Sequence, residues 1–234
     1  MAGKSLESGL FAASGCATGF LWSVVAGEAD LSQGKGWGRA FLGCAASGGN
    51  AFGIYTLTDH FTDDRDLARG LTLGWFGAQS AAGFTNWLGR RNGWEDRAAF
   101  NATAIPLNYA ASPFVSSLGL LWAGVGETTS GFRAEVHAYG GMLVFDHSLC
   151  LGTAANTGAV GHCFSSGSNI RTRRHEMGHQ VQVAVMGDLG VLGVLGGDFL
   201  WSIFSLQWEA LGKRPGYWTL EPWAKDYSET PPSQ

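Results

Sequence analysis

Uncharged stretches of helix length, separated by short charged connectors, constrain what the first half of this chain can become. Residues 8–27, 41–58, 71–89 and 101–126 contain no Asp, Glu, Lys or Arg, and the connectors 28–40, 59–70 and 90–100 hold the charges. Segments of that length, built from Ala, Leu, Phe and Trp with Gly interspersed, predict helices. Segment starts recur about every thirty residues, a spacing typical of helical-hairpin repeats. Gly36-Trp37-Gly38-Arg39-Ala40-Phe41 is echoed by Gly93-Trp94-Glu95-Asp96-Arg97-Ala98-Ala99-Phe100. The echo is a weak internal repeat of helical hairpins rather than a strict solenoid.

Small residues set how those helices can pack. Glycine is 36 of 234 residues, and charged residues are only 15%, so the chain buries much of its surface through close backbone approach. Gly15 with Gly19, and Gly49 with Gly53, are one turn apart, a device of membrane helix pairs that soluble bundles also use. Ser47, Asn50, Thr56 and Thr58 in one segment, and Gln79, Thr85 and Asn86 in the next, are costly in hydrocarbon. Mean hydropathy is only +0.03. These features predict a soluble or peripheral protein, with membrane association as the alternative. The net charge of −4 offers no basic field for nucleic acid.

Pro106 and Pro113 divide the fourth segment into Asn101–Ala111 and Pro113–Gly124, since proline ends or kinks helices. A polar turn is expected at 127–131. Beyond it the pattern becomes β-like: Ala134-Glu135-Val136-His137-Ala138-Tyr139 and Met142-Leu143-Val144-Phe145 flank a Gly140-Gly141 bend, and 159–165 is a further short strand candidate. The cysteines are Cys16, Cys44, Cys150 and Cys163, with no C-x-x-C pair. They read as small core thiols, or, for Cys150 and Cys163, as partners across a hairpin in an oxidising compartment. Lys4 precedes an uncharged run that loosely resembles a signal peptide, but Glu7 is out of place for one. We read this stretch as mature structure, and the compartment stays open.

The chemistry is concentrated in Arg174-His175-Glu176-Met177-Gly178-His179-Gln180-Val181-Gln182. On a helix, His175 and His179 at i and i+4 share a face and can grip zinc between two imidazoles. Glu176 follows the first histidine and is placed to act as general base on a water polarised by the metal. Gln182 faces roughly the same way and can orient a ligand. Ser168 or Thr172 is expected to cap this helix, and Gly187 to end it. Arg171, Arg173 and Arg174 crowd its first turn against the helix dipole, so they should pair with acids or face a polar substrate. His137, His147 and His162 are read as ordinary hydrogen-bonded or exposed imidazoles, and the Asp146-His147 pair is given no role.

A catalytic zinc usually takes three protein ligands. The tail Gly216-Tyr217-Trp218-Thr219-Leu220-Glu221-Pro222-Trp223-Ala224-Lys225-Asp226 offers Glu221 as the third, on a helix whose first turn suits Pro222. Asp226 is the runner-up and Glu209 a weaker candidate. Tyr217 or Tyr227 could support an oxyanion or simply pack.

The R-H-E-x-G-H-x-x-Q helix followed by W-T-x-E-x-W-A-x-D resembles a loosely described bacterial group of zincin-like metallopeptidases. That group carries H-E-Y-G-H-x-x-Q, an apolar glycine-rich stretch, then W-T-E-x-x-A-D. The similarity covers about residues 165–228, with an echo in Asn108-Tyr109-Ala110-Ala111-Ser112-Pro113. Met177 stands where the group has an aromatic, and Leu220 is inserted between Thr219 and Glu221. The resemblance implies a gluzincin-like site with His175, His179 and Glu221 as zinc ligands and Glu176 as base, acting on a peptide or protein. Some members of that group lie at the ends of large secreted polypeptides.

The expectation is one α+β domain, predominantly helical. Small-residue-packed helical hairpins in a scaffold portion, 1–126, would be followed by a short β element and a zincin-like metal helix in a catalytic portion, 127–234. The expected function is zinc-dependent peptide hydrolysis. Hydrolysis of another amide or an ester is a weaker possibility. The contrasting reading is a non-enzymatic membrane or interaction protein in which the H-E-x-x-H is vestigial. Substrate identity and oligomeric state are not legible in the sequence.

Overall fold

The computed structural model describes residues 2–131, 135–146, 162–164, 169–204 and 220–229. Its elements are α1 (Ala2–Val25), α2 (Gly34–Thr62), α3 (Arg65–Asn92), α4 (Ala98–Ala111), α5 (Pro113–Ser130), β1 (Glu135–Tyr139), β2 (Met142–Asp146), β3 (His162–Phe164), α6 (Ile170–Phe204) and α7 (Leu220–Glu229). The fold is predominantly helical with a short β-hairpin, as expected.

The uncharged segments form α1, α2 and α3, which pack on one another, and α2 also packs on α6. Close approach explains the glycines of the α1–α2 seam. A Cβ on Gly19 would lie 2.3 Å from the Gly43 carbonyl oxygen, so only glycine lets these backbones meet. Cys16 and Cys44 face each other across this seam in a disulfide. The sequence reading took them as core thiols; two helices this close leave their side chains within bonding reach. Closing that 28-residue separation is worth about 3.6 kcal/mol by chain entropy. Cys150 and the Cys163 side chain lie outside the described residues.

Helix boundaries differ from expectation in physically clear ways. The break between the two expected pieces falls at Ser112, between α4 and α5, with Pro113 opening α5, while Pro106 lies inside α4 without breaking it. The predicted turn at 127–131 is the last turn of α5, which closes on Gly131 at φ 73°. Gly140 and Gly141, with φ 58° and 78°, make the tight turn joining β1 to β2, a conformation that favours glycine at both positions. β2 pairs with β1 antiparallel and with β3 parallel. The turn docks on the helices, with the Gly141 amide donating to Asn101 Oδ1 at 2.9 Å and Asn108 Nδ2 donating to the Gly141 carbonyl at 2.9 Å.

Helix α6 is broken where the sequence places its end. Gly187 has φ 71° and ψ 174°, and the helix resumes beyond it. Asn50 seats the break: its side chain lies against Gly187, and its Oδ1 accepts from Leu189 N at 2.8 Å. Asp188 accepts from Ser112 Oγ and from the amides of Phe114 and Val115, so it satisfies orphan donors at the start of α5. Two stretches, Ser5–Val25 and Ile170–Leu200, are long and apolar enough to cross a membrane by length and composition, though the second is interrupted at Gly187.

Candidate metal centre

The first turn of α6 is held from several sides. Asn169 Oδ1 accepts from Thr172 N at 2.9 Å, so Asn169 is the cap, next to the expected Ser168, which lies outside the described residues. The arginines have acidic or aromatic partners: Arg171 Nη2 with Glu229 at 2.5 Å, Arg173 Nη2 with Asp146 at 2.9 Å, and Arg174 with the Tyr139 hydroxyl. These contacts offset the unfavourable dipole and tie α6 to the sheet and to α7. His137 Nε2 lies 2.7 Å from Asp146 Oδ2, so His137 is a hydrogen-bonded imidazole and Asp146 bridges β1 to α6. His147 and the His162 side chain are outside the described residues.

Helix α7 returns along α6 because the sequence leaves it a slot. At Gly178 an added Cβ would lie 3.0 Å from the Ala224 Cα and 3.3 Å from the Tyr227 Cβ. The glycine of the motif therefore sets the distance between the two helices. Trp223, 1% exposed, donates from Nε1 to the Gly27 carbonyl at 2.7 Å. Asp226 takes Lys35 Nζ at 2.8 Å and Arg39 Nη2 at 2.7 Å, so its carboxylate is directed to the start of α2. Arg90 Nη2 donates to the Tyr227 carbonyl at 2.8 Å, and its guanidinium lies 4.4 Å from the Tyr227 ring centre. Tyr227 itself packs in a core with Met177, Tyr139 and Val181. Met177 is buried there against the Gly140 turn. The position where the resembling group has an aromatic thus faces the hairpin core. Tyr217 and Glu209 are outside the described residues.

Between α6 and α7, His175, Glu176 and His179 form a cluster whose ligand atoms lie within 4.8 Å of one another. Glu221 enters from α7: its Oε2 is 3.2 Å from His175 Nε2 and its Oε1 is 3.6 Å from His179 Nε2. Ligand atoms at about 2.0–2.1 Å from a tetrahedral zinc stand roughly 3.4 Å apart, and the distance from this carboxylate to each imidazole is close to that spacing. His179 Nδ1 lies 2.9 Å from Gln182 Oε1, and Gln182 Nε2 donates to the Leu220 carbonyl at 3.0 Å. In the neutral imidazole, a proton on Nδ1 leaves the Nε2 lone pair facing Glu221. His179 and Glu221 shift each other's protonation. Burial works against charge on both groups. At His179 the Glu221 hydrogen bond and the nearby Glu176 and Glu221 charges outweigh it, and the pKa rises above the ordinary histidine value. At Glu221 the two histidines outweigh it and hold the carboxyl well below the usual carboxylate range.

Of the residues named from the sequence, the structure sets His175, Glu176 and His179 in one cluster, Glu221 beside both imidazoles and Gln182 on His179. Sequence reasoning did not reach Gly178 as the spacer of α7, nor the Leu220 carbonyl as the acceptor that fixes Gln182. A glycine inside a buried helix was the available signal for the first. No family model, no curated protein and no solved structure matches this chain.

Proposed function

We propose that this chain is a zinc-dependent hydrolase, and specifically a metallopeptidase. The observation that carries the reading is the convergence of His175 Nε2, His179 Nε2 and the Glu221 carboxylate at 3.2 and 3.6 Å. In this reading the three residues hold the ion, and Gln182 keeps His179 in the ligating tautomer. Bound zinc supplies a Lewis acid that polarises a carbonyl and lowers the pKa of water. Glu176, 4% exposed and next to His175, is the remaining carboxylate of the cluster. It takes the proton of the attacking water and passes it to the leaving amine. Peptide as substrate follows the resemblance. The β1 edge strand, tied to α6 through Arg174 and Tyr139, offers extended backbone beside the metal helix for pairing with such a chain. The two sequence portions, 1–126 and 127–234, act together as one domain. The Cys16–Cys44 disulfide favours a compartment outside the reducing cytosol, secreted or membrane-associated.

The test is cleavage of unfolded protein substrates by the zinc-loaded chain, followed by mass spectrometry. New termini that disappear with a chelator and with Glu176→Gln support the reading. Cleavage that survives both, or zinc-loaded protein that cleaves nothing across peptide, amide and ester panels, removes it.

A further inference from the structure

We infer that the middle of the α1–α3 bundle is embedded in the hydrocarbon of a lipid bilayer, with the His175/His179/Glu221 cluster at one edge of that layer. The first observation is height. Residues 8–27, 41–58 and 71–89 are uncharged, and their helical parts are each about 27–28 Å long, close to the thickness of a bilayer core. The three helices lie side by side, α2 antiparallel to α1 and α3 parallel to it: Gly15 lies against Ser47, Gly19 against Gly43, and Gly83 against Trp22.

On α1–α3 charge is confined to the two ends of that layer; on α6, Asp188 stands at mid-height between Gly187 and Leu189, which both meet Asn50, and its carboxylate is bound by Ser112 Oγ and the Phe114 and Val115 amides. At one end Glu7 takes Arg69 and the Tyr55 hydroxyl. At the other, Arg90 pairs with Glu28, and Lys35 and Arg39 pair with Asp226. Between the ends, the usual distribution of polarity is inverted. Leu10, Phe52, Leu73 and Phe84 are exposed, at 61%, 46%, 59% and 51%. Ser47, Asn50, Gln79 and Asn86 of the same segments are buried. Gln79 donates to Ser47 Oγ at 2.8 Å and to the Val185 carbonyl, and Asn86 Nδ2 donates to Asn108 Oδ1 at 2.8 Å. Ser47, Gln79 and Asn86 weigh against a membrane in the bare sequence. Buried inside the bundle, with Ser47, the Gln79 nitrogen and Asn86 hydrogen-bonded there, they are shielded from hydrocarbon, which penalises polar groups exposed to it without partners.

Hydrocarbon fits this surface better than a second copy of the chain. Exposed large apolar side chains also stand on α5, at Phe114, Leu118 and Leu121, so the apolar surface spreads over four helices. A dimer interface buries one contiguous patch, commonly about 800 Å² per partner. A bilayer covers every outward face between two charged rims.

The placement of the cluster follows. Gln79 reaches both Ser47 and the Val185 carbonyl, which puts Val185 near the middle of the layer. His179 is six residues earlier on α6, about 9 Å along the helix. Pro222, next to Glu221, gives its carbonyl to Arg39 Nη2 at 3.2 Å. The cluster therefore lies in the half of the layer toward Arg39 and Arg90, just beneath that rim. Resting on the hydrolase reading, this names the substrate class: a polypeptide segment at the point where it leaves the bilayer.

The experiment uses the full chain. Cell membranes carrying it are washed with alkaline carbonate, then extracted with detergent. Purified protein is reconstituted in phosphatidylcholine vesicles and labelled with a lipid-soluble diazirine. The expected result is retention through carbonate, release by detergent, and label on the peptides holding Leu10, Phe52, Leu73 and Phe84 but not on 35–39 or 65–69. Release by carbonate as a detergent-free particle overturns the inference, whether that particle is a monomer or a dimer that covers the apolar faces with a second copy. Label spread evenly over belt and rims overturns it as well. Zinc content is measured on the same preparations. Zinc in a chain that does not insert removes the membrane placement alone, and an inserted chain that takes no zinc removes the hydrolase reading alone.

Discussion

His179 and Gln182 form a closed pair on α6: Nδ1 of the imidazole meets Oε1 of the amide at 2.9 Å, and the amide nitrogen is anchored on the Leu220 carbonyl at 3.0 Å. One side chain thus orients a histidine and fastens the residue preceding Glu221. Gln182→Ala is expected to weaken zinc binding by about 10- to 100-fold, the usual scale for losing such an orienting partner. Competition against a chromophoric chelator measures it, and unchanged affinity would remove the orienting role.

Gly178 is the second lever. A methyl there meets the Ala224 Cα at 3.0 Å, so Gly178→Ala should push α7 outward. Overpacking of this kind costs about 1–3 kcal/mol, and Glu221 is carried away with its helix. Thermal unfolding should fall, and zinc affinity should fall with it. A variant that loses stability yet binds zinc as before would mean that α7 does not position the third ligand.

Asp226 gives the contrasting outcome. Its carboxylate, about one-third exposed, is bound to Lys35 and Arg39, so Asp226→Ala should loosen α7 on α2 by no more than about 1 kcal/mol, the range of partly exposed ion pairs. Zinc stoichiometry should stay at one. Loss of the metal in this variant would exchange its role with that of Glu221.

The pH dependence has a definite sign. The raised pKa of His179 means that its ion-pair stabilisation is complete below the unfolded histidine value, about 6.5, and is lost as pH rises through the folded value. The depressed pKa of Glu221 gives stability present above about 4.3, lost as pH falls through its folded value. Metal-free protein therefore draws most from this pair between those two limits. Zinc must displace the His179 proton, so the rise in Tm on adding zinc should grow from pH 5.5 to pH 8. A zinc-induced rise that shrinks over that range would contradict the ion-pair description.

Much of this was readable from spacing. Histidines four apart, a glutamine three further on and a glutamate before Pro222 are local patterns with fixed helical geometry, and Gly15 with Gly19 announced close packing of α1. The α2 pair Gly49 and Gly53 did not, since a Cβ on Gly49 would meet nothing within 4 Å and α2 approaches α1 through Gly43 and Gly48. What spacing could not carry was the three-dimensional company of a residue. Cys16 with Cys44 depends on how two helices cross. The Asp226 carboxylate turns to Lys35 and Arg39, nearly two hundred residues away in sequence. Pro106 stays within α4, a tertiary override of its local preference. The polar residues of α2 and α3 read as obstacles to an apolar environment until the bundle showed which way they point.

The central claim is that Glu221 closes a zinc site with His175 and His179. X-ray absorption at the zinc edge, together with metal analysis of wild type and Glu221→Ala, tests it most directly. The account predicts one zinc per chain, a first shell of two imidazole nitrogens with oxygen ligands at about 2.0–2.2 Å, and an affinity at least ~10-fold lower in Glu221→Ala. A wild-type chain that takes no zinc, or a Glu221→Ala chain that holds it with an unchanged shell and affinity, would contradict the claim.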